Sequence, residues 1–115
     1  MTVKIYHNPR CSKSRKTLQL LRERGVEPEI VEYLRTPPDA LAIKDILKLL
    51  SLSARQLMRQ NEPEYKNNNL GDERLEEDQL IEAMVKIPKL IERPIVLANG
   101  KATIGRPPEN ALKIL

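Results

Sequence analysis

The chain carries a single cysteine and a single histidine, four residues apart, in the run Tyr6-His7-Asn8-Pro9-Arg10-Cys11-Ser12-Lys13-Ser14-Arg15. A thiolate is a nucleophile and a thiol is not, and an unperturbed cysteine with a pKa of about 8.5 is only slightly ionised at neutral pH. Reactivity at this position therefore needs something that favours the negative charge. Val3 to Tyr6 reads as a short strand, Asn8-Pro9 breaks it, and Ser12 onward reads as a helix. Cys11 then opens the helix, where free backbone N–H groups of the first turn attract an anion. That contribution is about 0.3–1 kcal/mol, less than one pKa unit. Arg10, Lys13, Arg15 and Lys16, with His7, are the groups expected to supply the rest. The plainer alternative is a small buried thiol in a strand–helix turn. The surrounding cations favour the reactive one.

Composition sets the class. The 115 residues suit one domain with a real core, read as 1–115. Phe and Trp are absent and Tyr occurs three times, so the core must be aliphatic. One cysteine excludes an internal disulfide and a structural zinc site of Cys and His ligands, and no metal is expected. No apolar run approaches the roughly 20 residues of a membrane span, and no leader is expected ahead of the first strand. The expected setting is a reducing cytoplasm, without membrane association.

Charge is unevenly spread. Residues 1–24 hold Lys4, Arg10, Lys13, Arg15, Lys16, Arg22 and Arg24 against Glu23 alone. Residues 62–82 hold eight carboxylates against Lys66 and Arg74. Nucleic acid is not the expected partner, because no aromatic set for base stacking accompanies the basic end. A small anion held near Cys11 explains the same charge more simply. The run Glu76-Glu77-Asp78 reads as the favourable first turn of a helix.

The elements that must position Cys11 follow in a definite order. A first helix stops at Gly25, and Glu29 to Tyr33 forms a second strand closed by Thr36-Pro37-Pro38. Asp39 to Leu50, a short helix capped by Ser53, a loop at residues 67–71 and a helix from Glu77 to Ile87 make an all-helical block. Ile95-Val96-Leu97, the turn Asn99-Gly100 and residues 101–105 make a hairpin, and Pro107-Pro108 starts a last helix. The pattern predicts an α/β fold, β-α-β then β-β-α, with a parallel pair and an antiparallel edge. Residues 1–35 and 88–115 form the core of this reading and 36–87 the helical insertion.

This order resembles the thioredoxin-like fold, with a mixed four-stranded sheet. The motifs themselves resemble the glutaredoxin-coupled arsenate reductases, the ArsC-like family, in a short form. Tyr6-His7-Asn8-Pro9 followed by Arg10 and Cys11, with Ser14-Arg15 beyond, is similar to that family's active-site signature. Tyr33-Leu34-Arg35-Thr36-Pro37-Pro38, the helix Arg55 to Asn61, Arg93-Pro94-Ile95-Val96 and Gly105-Arg106-Pro107 match four further motifs in order. The resemblance implies that Cys11 attacks arsenic, that His7 and Ser14 help activate it, and that Arg59, Arg93 and Arg106 bind the oxyanion. It also gives supporting places to Asn8 and Arg15, and puts Pro94 where such folds keep a cis proline. Arg55, four residues before Arg59, is read as a decoy.

The chemistry asks for such a set. Arsenate repels a thiolate unless cations neutralise it first, and arginine offers a planar, permanently charged fork suited to tetrahedral oxyanions. A chain with one thiol has none left to resolve an adduct. The resemblance supplies the missing partners: glutathione as thiol co-substrate and glutaredoxin to remove the mixed disulfide, with no bound cofactor. Two other functions fit the same residues. One is a monothiol glutathione-dependent oxidoreductase acting on disulfides. The other is an RNA-polymerase-binding regulator of the Spx type, without its disulfide switch because Ser14 stands at the second cysteine position.

Overall fold

A computed structural model of the protein describes residues 2–115. Its four strands are β1 (Val3–His7), β2 (Glu29–Glu32), β3 (Ile95–Ala98) and β4 (Lys101–Ile104), in one sheet of order β2-β1-β3-β4. β1 runs parallel to β2 and antiparallel to β3, and β3 pairs antiparallel with β4. The parallel pair is joined by the helix α1 (Ser12–Glu23) and the antiparallel pair by the Asn99-Gly100 turn. Both turn residues have positive φ, 55° and 71°, as a two-residue hairpin of this hand requires. Beyond the end of α1 stands Gly25, also at positive φ, whose N–H donates to the Arg22 carbonyl while Val26 N–H donates to Leu21 O.

The chain divides into two compact units, residues 2–36 with 93–115 and residues 37–92. In the first, Val3, Ile5, Leu18, Leu21, Val96, Ala98 and Ala111 form a buried aliphatic core. Against α1 packs the C-terminal segment Pro108–Ile114, which is a 3₁₀ helix rather than the expected α-helix. β2 ends at Glu32, one residue before expectation, because Arg35 and Thr36 N–H both turn back to its carbonyl.

The second unit contains α2 (Ala40–Leu50), α3 (Ala54–Leu57), α4 (Pro63–Asn67), α5 (Glu77–Lys86) and the 3₁₀ turn Pro88–Leu90. α4 was not expected from the sequence: its five residues are too few to show a periodic stripe. Asp39 caps α2 through Ala42 N–H, and Ser53 and Gln56 exchange bonds in a capping box at α3. Glu77 and Asp78, in the first turn of α5, hold Ala54 N–H and Lys44. The boundary falls after Glu92 rather than after Ile87. Arg59 N–H donates to Leu90 O and Glu92 N–H to Leu57 O, so the segment before Arg93 pairs with the end of α3. No helix among the described residues is long and apolar enough to cross a membrane.

Gly105 tests the packing that matters most to the site. A Cβ there would lie 2.5 Å from Thr17 Oγ1 and 2.8 Å from Pro94 Cγ. Gly71, by contrast, offers ordinary contact at 3.5 Å from the Tyr65 ring. Gly105→Ala is expected to lower unfolding free energy by about 1–3 kcal/mol, and Gly71→Ala by less than about 0.5 kcal/mol. Urea denaturation of both variants checks this, and equal losses would contradict it.

Candidate active site

The register of the sheet decides which residues meet. Tyr6 pairs with Val31 on one side and with Ile95 on the other, and Ile95 pairs in turn with Ile104. The C-terminal ends of β1, β2 and β4 and the N-terminal end of β3 therefore lie together. From that edge emerge the loop to Cys11, the turn carrying Arg35, the dipeptide Gly105-Arg106, and Arg93-Pro94. Both Arg93-Pro94 and Arg106-Pro107 are cis.

The loop from Asn8 to Cys11 is fixed by its own short bonds. Asn8 Oδ1 accepts Arg10 N–H at 3.0 Å, and Asn8 O accepts Cys11 N–H at 3.0 Å. Arg15 Nη1 donates to Pro9 O at 3.0 Å. Cys11 is thereby set as the N-cap of α1, with extended backbone and a half-buried side chain. Burial alone pushes the thiol pKa up, but other groups outweigh it and hold Cys11 below its ordinary value. They are the Ser14 N–H, the Arg93 guanidinium by charge and hydrogen bond, and the Lys13 N–H.

This corrects the expectation about charge. The Arg10, Lys13, Arg15 and Lys16 side chains are all exposed, and none is among the groups that set the Cys11 pKa. Lys13 acts through its main-chain N–H. Nor does His7 add a positive charge. It is 6% exposed, and burial lowers its pKa, opposed by Glu32 beside it in the β1–β2 ladder and assisted by Arg22 and Arg15. His7 is thus neutral near pH 7. The contributor that the local charge reading lacked is Arg93, expected in the site only as an oxyanion ligand through the family resemblance.

Ser14 links these groups. Its hydroxyl is fully buried, 2.6 Å from His7 Nδ1 and accepting Asn8 N–H at 3.0 Å. Its side chain thus serves His7 and the loop while its N–H serves the thiolate. Thr17, one turn on, donates to Lys13 O at 2.8 Å and to Gly105 O at 3.4 Å. Gly105 N–H in turn donates to Pro94 O at 2.9 Å, so the residue before Arg106 is tied both to α1 and to the cis proline.

Arg59 belongs to the other unit. There its guanidinium pairs with Glu62 at 2.5 Å, and Glu62 also meets Lys89 at 3.5 Å. Arg55, the expected decoy, donates to Tyr65 Oη at 2.7 Å and to the carbonyls of Leu70 and Asp72. It clasps the loop after α4, which is a structural task.

The geometry predicts how the thiol responds to its neighbours. Removing the Arg93 charge withdraws support from the thiolate, so its pKa rises. Arg93→Gln is expected to slow alkylation of Cys11 by iodoacetamide at pH 7 about tenfold, with the two proteins converging at high pH. Lys13→Gln keeps the main-chain N–H and should cost less. A larger effect at Lys13 than at Arg93 would overturn the assignment.

The ArsC family model matches residues 6–114. Uncharacterized protein YfgD of Escherichia coli is 66% identical over 98% of this chain and 96% of its own length. A Neisseria meningitidis protein named arsenate reductase is 54% identical over 98% and 97%. The solved structure of an arsenate reductase from Vibrio cholerae is 52% identical, covers 100% of this chain and 98% of its own, and superposes with a TM-score of 0.98. The shared architecture is the thioredoxin-like fold expected from the sequence. Matched by the family model from Tyr6 to the last helical turn, and by relatives over nearly their full length, the chain belongs to the ArsC family.

Proposed function

We propose that this protein reduces arsenate to arsenite, with glutathione and glutaredoxin as the sources of electrons. The observation that carries the reading is a half-buried cysteine held toward its thiolate form by two helix N–H groups and an arginine. The names of the close relatives support the substrate.

In this reading the Cys11 thiolate attacks arsenic, the S–As bond forms, and an arsenate oxygen leaves as water after taking up protons. Arg93, whose charge and hydrogen bonding favour the Cys11 thiolate, donates to an oxyanion oxygen as negative charge moves off the sulfur. Arg106, carried to the same edge of the sheet, shares that charge, a part that the family resemblance gives to Arg59 as well. Glutathione thiolate then attacks the Cys11 sulfur. The S–As electron pair passes to arsenic, which leaves as arsenite, and a Cys11–glutathione disulfide remains. A glutaredoxin thiolate attacks the glutathione sulfur and returns Cys11 as a thiolate. Cys11 is the chain's only cysteine, so both resolving thiols come from outside. Such chemistry belongs in a reducing compartment, the cytoplasm.

The test is arsenate-dependent NADPH oxidation with glutathione, glutaredoxin and glutathione reductase supplied. Wild type should turn over and Cys11→Ser should not. Arg59→Gln and Arg106→Gln should each raise the arsenate KM by about 10- to 100-fold, the worth of one charge-assisted hydrogen bond. No turnover by the folded wild-type protein would exclude the reading. Disulfide exchange by the same thiol would then be the stronger account.

A further inference from the structure

A cleft of about 380 Å³ lies beside the loop that carries Cys11. Its walls come from two segments that the sheet register brings together. The loop contributes Pro9 and Arg10, the end of β2 contributes Glu32, Leu34 and Arg35, and His7 lies between them. The size is that of a small-molecule site, which runs from about 300 to 1,000 Å³.

The charges in this cleft are specific. Arg10 and Arg35 are exposed and Glu32 is half-buried, and among the described residues none of the three forms an ion pair. Arg35 N–H donates to Glu32 O at 2.9 Å, so a tight turn sets the carboxylate and the guanidinium on one wall. Arg10 stands on the other, one residue before the nucleophile. Leu34, 42% exposed, gives an apolar surface. A ligand that answers this set has an amino-acid head with adjacent ammonium and carboxylate, a second carboxylate some distance away, and a largely uncharged stretch between. Glutathione has that pattern, and its thiol lies in the middle.

We propose that this cleft seats glutathione: Glu32 and Arg35 take the ammonium and carboxylate of the γ-glutamyl head, and Arg10 takes the glycine carboxylate. The cysteinyl sulfur then lies beside the loop that leads into Cys11. This rests on the reading that glutathione resolves Cys11, but it names residues that reading does not, and it is testable without arsenate. With glutathione disulfide as the probe, the Cys11 thiolate attacks one sulfur. A new S–S bond forms, the old one breaks, and one glutathione leaves as a thiolate that takes up a proton. Cys11 is oxidised and the departing glutathione reduced.

The experiment measures the rate of this reaction by intact mass, for the full chain, and divides it by the rate with 2-hydroxyethyl disulfide. That second disulfide reacts by the same step and carries no charge. Arg10→Gln and Arg35→Gln should each lower the ratio about tenfold, the loss of one charge-assisted hydrogen bond. With the disulfide of glutathione amide, whose glycine carboxylate is replaced by a neutral amide, Arg35→Gln should still lower the ratio and Arg10→Gln should not. A ratio unchanged in both variants overturns the seat. The outcome is separable from the reductase reading: the predicted ratios without arsenate turnover would keep the seat and remove arsenate, and turnover with unchanged ratios would do the reverse.

Discussion

The site depends on one constraint, the pairing of Tyr6 with Ile95 and of Ile95 with Ile104. That register places Arg93 beside the loop that β1 feeds and brings Gly105-Arg106 to the same edge. A slip of one residue would turn every side chain of a strand to the wrong face. Buried Ile5 and Val96, themselves a pair, forbid it. A slip of two would keep the faces but displace Arg93 by about 7 Å along the strand, out of hydrogen-bond reach of Cys11. The thiolate is thus stabilised by a group whose position is set by aliphatic packing several residues away. Gly105 closes the arrangement, since only a residue without a side chain lets β4 come this near Thr17 and Pro94.

The start of α1 shows what this arrangement costs. A helix is ordinarily helped by an oxygen cap and by acidic residues in its first turn. α1 begins instead with a cysteine cap and has no acidic residue in its first turn, where Lys13 stands. α5 follows the ordinary rule, with Glu77 and Asp78 in its first turn. The contrast makes sense if the negative charge at α1 is the thiolate itself. Neutral, buried His7 fits the same economy: it orients Ser14 without placing a second ionised group beside the sulfur.

Much of this was legible in the chain. The β1–α1 junction, the Gly25 stop, the Asn99-Gly100 hairpin and the Ser53 cap are local signals, and each appears where its residues require. The aliphatic composition of the core followed from the absence of Phe and Trp. What local reading missed has a common cause. Cations near Cys11 in sequence looked like its electrostatic partners, yet Arg10, Lys13, Arg15 and Lys16 are all exposed, where water and salt screen their charge. The group that matters, Arg93, is distant in sequence and arrives through strand pairing. α4 escaped notice because five residues carry no periodicity, and the C-terminal segment shows that apolar spacing alone does not separate a 3₁₀ helix from an α-helix. Arg55 and Arg59, four residues apart, are alike in local pattern and were separated only by the family resemblance; the structure gives them different partners, a loop for one and a carboxylate for the other.

The central claim is that this fold, without any ligand, holds Cys11 toward its thiolate. The most direct measurement is the pH titration of thiolate ultraviolet absorbance in the wild-type protein, with Cys11→Ser subtracted to remove the three tyrosines. Because the chain has one cysteine, the remaining signal belongs to Cys11 alone. The account predicts a midpoint below that of free cysteine in the same buffer. A midpoint equal to or above it would mean that burial outweighs the helix N–H groups and Arg93, and would contradict the account.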